Sequence, residues 1–303
     1  MQFFTLATLK TPLGPKVAIG VENQFYLISN LHPEFQSAVK DLLANWPTSF
    51  LTLEQLAVSI VGGEFKHSPA VSAEEADFAT PVLYPDKLMA VGANYTGHLQ
   101  EMGLPTEKWH PMPFFLRPPS TTLVGPGKTV RIPKSTKQFD WECELAVIVG
   151  KQLRYAGKQE AMDAIAGYAI GLDLSCRDLI RTGITALPVD LVRGKAQDTM
   201  APCGPYIVPA QFVPNPYTLQ IKLFVNGQKM MDANSSEMIY KIDEQLSIIS
   251  EYITIEPGDI LFTGSPSGSA EVHGGCFLKS GDTIHAQIEG VGAMDVIMCD
   301  DNR

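Results

Sequence analysis

Three acids at alternate positions, Asp140, Glu142 and Glu144, run directly into the apolar segment 145–149, which Gly150 closes. The segment is rich in β-branched residues and reads as a strand buried on both faces. If that strand extends backwards, a side-chain period of two puts the three carboxylates on one face and Trp141, Cys143 and Leu145 on the other. Like charges leading into a core repel one another and lose hydration. Protonation, basic partners or a cation must offset this, and oxygen-only ligands suit a hard divalent ion such as Mg²⁺ or Mn²⁺. A solvated edge strand with its carboxylates in water is the competing reading. Period alone makes Asp140 as good a ligand as its neighbours.

Four further groups could do chemistry. Asp173 ends the apolar run 166–172, where a lone acid must be coordinated or must cap the helix that starts near Arg177. His98 and Glu101 are three apart, so a short helix would bring them together, and a carboxylate raises the basicity of an imidazole. Lys195 stands among small residues in the loop 194–199 and could neutralise a carboxylate or enolate. The turn Thr263-Gly264-Ser265-Pro266-Ser267-Gly268 is rich in backbone donors and could seat an anion.

These groups need a scaffold. Residues 3–28 read as three short strands of a small antiparallel sheet. Two helical patterns follow, 33–46 (Phe35, Val39, Leu42, Leu43) and 52–61 (Leu53, Leu56, Ala57, Ile60). A polar connection over 67–80 predicts a boundary between an N-terminal α/β subdomain, residues 1–80, and a catalytic domain, residues 81–303. Beyond it, 87–92 reads as a strand opening toward His98, and the proline-heavy stretch 105–119 as irregular chain along a rim. A helix is expected over 158–165, a strand over 218–225 turning at Asn226-Gly227, a long helix over 235–252 (Met238, Ile242, Leu246, Ile249), and paired strands at 283–288 and 292–298.

Composition narrows the function classes. A formal charge of −10 leaves no basic surplus for phosphate contacts, which argues against nucleic acid as a partner. No apolar run nears the roughly 18 residues that span a bilayer, so no membrane span is expected. Met1-Gln2-Phe3-Phe4 lacks a basic n-region before a long apolar stretch, which predicts no secretory signal. Five cysteines without a C-x-x-C suggest neither a disulfide framework nor a zinc site and point to a reducing cytoplasm.

Six motifs in order then resemble the fumarylacetoacetate hydrolase family: Val-Gly-Ala-Asn-Tyr-x-x-His-x-x-Glu-Met (91–102), Leu-Val-Gly-Pro-Gly (123–127), Asp-x-Glu-x-Glu-Leu-Ala-Val (140–147), Gly-Tyr-x-x-x-x-Asp-x-Ser-x-Arg-Asp (167–178), Gly-Lys-x-x-Asp-Thr (194–199) and Leu-Phe-Thr-Gly-Ser-Pro-x-Gly (261–268). The resemblance implies a β-rich α+β fold, a mixed β-roll catalytic domain that is usually homodimeric, with Mg²⁺ or Mn²⁺ at its centre. By position the metal ligands would be Glu142, Glu144 and Asp173, leaving Asp140 a supporting role. His98 with Glu101 would be the acid/base dyad on a segment that orders as a lid, Lys195 would lie beside the substrate, and Thr263 with Gly264 would bind its carboxylate end. Tyr95 and Arg117 would complete the substrate contacts.

The implied reaction is hydrolysis of a carbon–carbon bond in a β-diketo acid, acylpyruvate- or fumarylpyruvate-like, through a metal-bound enolate and a His–Glu activated water. Oxaloacetate decarboxylation, or hydration, dehydration or isomerisation of a 2-oxo acid, would use the same site. A non-catalytic metabolite binder on the same fold is the remaining class, and the intact His98–Glu101 pair argues against it. Family members often carry Gln at the position of Ile180, where it helps hold the enolate, and Asn at that of Leu172. An Ile donates no hydrogen bond, so that work would fall to the metal and Lys195, or the substrate differs.

Overall fold

In the computed structural model of the chain, residues 1–32 and 38–302 are described; the first part of the helix expected over 33–46, with Phe35, lies outside them. The apolar run after Glu144 becomes the strand Cys143–Val149, buried along its whole length. Its alternate residues enter two different cores. Leu145, Val147 and Val149 join a cluster with Ile221, Leu246 and Val296, while Ala146 and Ile148 join one with Leu6, Ile19 and Phe262. A strand covered on both faces needs apolar residues at every position, which accounts for the unbroken run.

Cys143–Val149 lies within an eleven-stranded sheet. Along its path the order is Ala70–Ser72, Gln24–Leu27, Gly14–Val21, Thr5–Thr11, Ala201–Pro209, Ile165–Leu172, Cys143–Val149, Ile260–Phe262, Leu88–Val91 and Phe114–Arg117. Leu123–Val124 pairs in parallel with Ala201–Pro202, off that path. The short helix Pro119–Thr122 carries the chain from the last strand of the path to a partner five strands away, so the sheet is rolled. A second, five-stranded sheet is ordered Gln228–Asn234, Gln220–Val225, Thr283–Ile288, Gly292–Asp300, Thr129–Ile132. Alternating burial along Gln220–Val225 shows one face on the core and one in solvent. Asn226 and Gly227, with φ of 50° and 79°, make the left-handed two-residue turn their types favour. The architecture is a strand-rich α+β fold with the expected β-roll.

Register gathers the motifs. Cys143 sits opposite Leu172, Phe262 opposite Ala146, and Ile260–Phe262 runs parallel to Leu88–Ala90. The start of one strand and the ends of three others therefore meet at one end of the sheet. The N-terminal strands add to this sheet through Leu6, whose Cα partner is Ile207.

Several expectations are corrected. The acidic strand is not continuous: Phe139–Asp140 pairs with Ser175–Cys176 in a separate two-stranded ribbon, and the ladder breaks at Trp141-Glu142. Of the first helical pattern, Val39–Ala44 is helical; Trp46 then starts a new helix, Trp46–Val61, which absorbs the second pattern with Pro47 in its first turn, where a missing N–H costs nothing. The long helix expected from 235 begins only at Ile242, because residues 235–237 form a 3₁₀ turn capped by Asn234, and Met238 bridges to Tyr95 instead. The proline-heavy stretch includes one regular strand, Phe114–Arg117, and the polar connection holds the short strand Ala70–Ser72.

Candidate active site and cation-binding carboxylates

Glu142, Glu144 and Asp173 are buried and bring one carboxylate oxygen each within 4.8 Å of one another. Glu144 rides on the strand Cys143–Val149, Glu142 stands in the ladder break just before it, and Asp173 follows the end of Ile165–Leu172, its N–H donating to the Glu142 carbonyl at 3.0 Å. Asp173 does not cap the next helix; Cys176 occupies that position.

Asp140 lies outside this trio. It accepts from the backbone N–H groups of Trp141 (2.7 Å) and Ala270 (2.9 Å) and from Nε of Arg177 (2.8 Å). Arg177 then reaches Glu142 Oε1 with Nη2 at 2.7 Å, so Asp140 aims the guanidinium that aims Glu142. Arg177 was not among the residues expected at the site from sequence, although it stands four after Asp173 inside one of the motifs.

Lys195 is the last residue of the helix Leu191–Lys195 and is buried rather than solvated. Its ammonium donates to Glu142 Oε2 at 2.8 Å and to Asp173 Oδ2 at 2.5 Å. Arg117, expected to contact substrate, is fully buried and donates to Asp173 and to the carbonyl of Met200, the latter at 2.8 Å. Ile180 packs against Gly194, so the apolar replacement borders the residue next to Lys195.

His98 and Glu101 share the expected helix, Thr96–Glu101, with Nδ1 of the imidazole 3.2 Å from Glu101 Oε2. Nε2 lies 4.0 Å from Glu142 Oε1, facing the carboxylates. Glu101 is fixed in turn by the N–H of Gly268 at 2.5 Å and by Ser269 Oγ at 3.4 Å. Thr263 and Gly264 are at the site, but with their donors engaged: Thr263 Oγ1 bonds the Leu145 carbonyl at 2.9 Å, and the Gly264 N–H bonds Glu144 Oε2 at 2.6 Å. Tyr95 is buried beside Glu144, and burial together with that carboxylate raises its pKa.

Electrostatics separates the two glutamates. Burial works against ionisation of Glu142, but Lys195, Arg177 and His98 outweigh it and hold its pKa at about 2. Burial pushes Glu144 up to about 8, and the charge of Glu142 adds to the rise. Glu144 has the Gly264 N–H but, among the described residues, no ion pair. An all-oxygen cluster with one under-compensated carboxylate is a donor set that a hard divalent cation fits.

Comparison with known proteins identifies the family. The profile of the fumarylacetoacetate hydrolase C-terminal domain matches residues 87–296. A mitochondrial oxaloacetate tautomerase of Bos taurus is 35% identical over 229 residues, 75% of this chain and 70% of that one. The structure of maleylpyruvate hydrolase from Sphingobium sp. SYK-6 in complex with manganese(II) and pyruvate superposes with a TM-score of 0.77 at 27% identity, over 98% of this chain and 99% of that one. Fumarylpyruvate hydrolase from Pseudomonas aeruginosa, in complex with Mn²⁺ and pyruvate, gives a TM-score of 0.64 at 30% identity, over 73% and 91% of the two chains. The family profile spans all the motifs that build the site, from the strand before His98 to the turn after Phe262, and the chain belongs to the fumarylacetoacetate hydrolase family.

Proposed function

We propose that the chain hydrolyses a carbon–carbon bond in an acylpyruvate-type β-diketo acid, using a divalent cation, Mg²⁺ or Mn²⁺, held by Glu142, Glu144 and Asp173. The observation that carries this reading is the orientation of His98: Nδ1 is fixed by Glu101 while Nε2 faces the carboxylate cluster at 4.0 Å from Glu142. When bound, the cation would act as a Lewis acid on the 2-oxo acid end of the substrate. His98 Nε2 takes a proton from water, whose oxygen attacks the distal carbonyl, and Glu101 stabilises the imidazolium through Nδ1. The bond between that carbonyl carbon and the neighbouring methylene breaks, its electron pair passing into the enolate of the departing 2-oxo acid. His98 then returns the proton to the methylene carbon. Lys195 balances the charge on the oxygen side.

A second reading is favoured by the 35% identity to an oxaloacetate tautomerase. There His98 would move a proton between carbon and oxygen of one 2-oxo acid, with no water consumed. Oxaloacetate decarboxylation is the further variant on the same site. We also propose a homodimer in a reducing, cytoplasmic compartment, with the cysteines free as they are here.

Acetylpyruvate cleavage, oxaloacetate decarboxylation and enol–keto interconversion of oxaloacetate, assayed side by side with Mn²⁺, decide between these reactions. Acetylpyruvate cleavage should proceed, fall about 10²–10⁴-fold in His98→Ala, stop with EDTA and return with Mn²⁺ or Mg²⁺. A protein active on oxaloacetate alone would overturn the hydrolase reading, and full activity in metal-free protein would remove the cation from it.

A further inference from the structure

Asn94 is buried one residue before Tyr95 and four before His98, and the reaction just described gives it no part. Both polar atoms of its side chain are in use. Its Nδ2 donates to the Thr263 carbonyl at 2.7 Å and to the Tyr240 carbonyl at 3.1 Å, while Oδ1 accepts from the Tyr240 N–H at 2.7 Å. Its own carbonyl accepts from Ile239 N–H at 2.8 Å. One side chain thus ties together the strand end that leads to His98, the turn at Thr263 and the loop before the helix Ile242–Tyr252.

The turn also depends on close packing. Gly264 has φ of 98°, and a Cβ there would fall 2.7 Å from Cβ of Asn94. The glycine backbone therefore rests on Asn94, and its N–H points at Glu144 Oε2, 2.6 Å away. Ala93 is held at φ of 55°, a left-handed conformation that a non-glycine residue adopts only where its surroundings fix it. Buried amides with every donor and acceptor satisfied define one geometry, since any displacement leaves a polar atom unpaired.

We propose that Asn94 is a positioning residue for the cation-binding site: by holding the Thr263 carbonyl and backing Gly264, it aims the Gly264 N–H that orients Glu144. This rests on the reading of Glu142, Glu144 and Asp173 as cation ligands, not on which reaction they serve. Gln245 supplies the control. Its Nε2 donates to the same Tyr240 carbonyl at 2.8 Å, but no bond of Gln245 reaches Thr263. A purely structural role in the Tyr240 loop is thus shared by both residues, and a role at the turn belongs to Asn94 alone.

Calorimetric titration with Mn²⁺, and with oxalate at saturating Mn²⁺, should be run on the parent, Asn94→Asp and Gln245→Met. Asn94→Asp keeps the Oδ1 acceptor and removes the two donors. It should weaken Mn²⁺ and oxalate by about 10-fold or more, the scale on which supporting groups act, while Gln245→Met stays clearly below that loss. Parent-like affinities in Asn94→Asp, or equal losses in both variants, would overturn the proposal; Asn94→Ser is read by the same criteria should the aspartate variant fail to fold. Absence of Mn²⁺ binding in the parent is a different result, because it would remove the cation site itself.

Discussion

Glu142 and Glu144 are chemically identical and two positions apart, yet the fold treats them in opposite ways. Glu142 meets Lys195 and Arg177, and their charges overcome the penalty of burial, whereas Glu144 meets one backbone N–H and a like charge. On the proposed ligand set, Glu144 weakens the metal-free fold and would serve the loaded one. Glu144→Gln keeps the shape and the acceptor for Gly264 and removes the repulsion. The metal-free variant should be more stable by about 1–3 kcal/mol, the scale of an uncompensated buried polar group, and should bind Mn²⁺ at least about 100-fold more weakly, since even supporting groups are worth 10–100-fold. Urea melts of metal-free protein and Mn²⁺ titration check the two halves; a variant that binds Mn²⁺ as the parent does would remove Glu144 from the ligand set. The sequence made the acidic alternation visible but left Asp140 equal to its neighbours. What separates it, a ladder break at Trp141 and an arginine that follows the paired strand Ser175–Cys176, depends on long-range pairing that no local period encodes.

Elements with local causes were legible, and those set by tertiary contacts were not. The helix bearing His98, the Asn226-Gly227 hairpin and the doubly buried strand follow from short-range spacing and turn chemistry. The start of the helix Ile242–Tyr252 does not, because Tyr240 is captured by Asn94 and Met238 by Tyr95. Glu244 marks the true first turn. It accepts from Lys241 N–H at 3.3 Å and from Lys108 and Lys158, each at 2.7 Å, and so ties the helix to the segment beside the site. Burial opposes its ionisation, but the two lysines and the backbone donor outweigh that and hold its pKa at about 2. A carboxylate depressed on folding contributes stability above its ordinary pKa of 4.5 and loses it as pH falls toward 2. These pairs are partly solvent-exposed, so Glu244→Gln should cost only about 1 kcal/mol near pH 6, with the gap to the parent closing below about pH 4. Urea melts at pH 6 and pH 3.5 test this, and a gap that widens in acid would contradict it.

At the scale of the whole molecule, the polar connection over 67–80 led to the expectation of an N-terminal subdomain, residues 1–80, and backbone pairing joins what lies on either side. Thr5–Thr11 hydrogen-bonds to Ala201–Pro209, and one apolar cluster runs from Phe4 and Leu53 to Ala146, Ile148 and Phe262. Phe4 concentrates this joint: its ring lies 5.5 Å from that of Phe50 in the N-terminal helix and 5.4 Å from that of Phe212, just beyond the strand Ala201–Pro209. Composition could flag the connection but could not reveal that the sheet continues past it, because the pairing partner is some 200 positions away. Two regions that share a core lose each other's apolar cover when either opens, so their unfolding is coupled. The metal-free chain should melt in one calorimetric transition, with van't Hoff and calorimetric enthalpies in agreement. Phe4→Ala should shift that single transition downward, at a cost of about 3–5 kcal/mol, rather than split it. A variant in which residues 1–80 melt first, while Mn²⁺ still protects a later transition, would show that the N-terminal strands are an attachment to the site-bearing part and not a wall of its core.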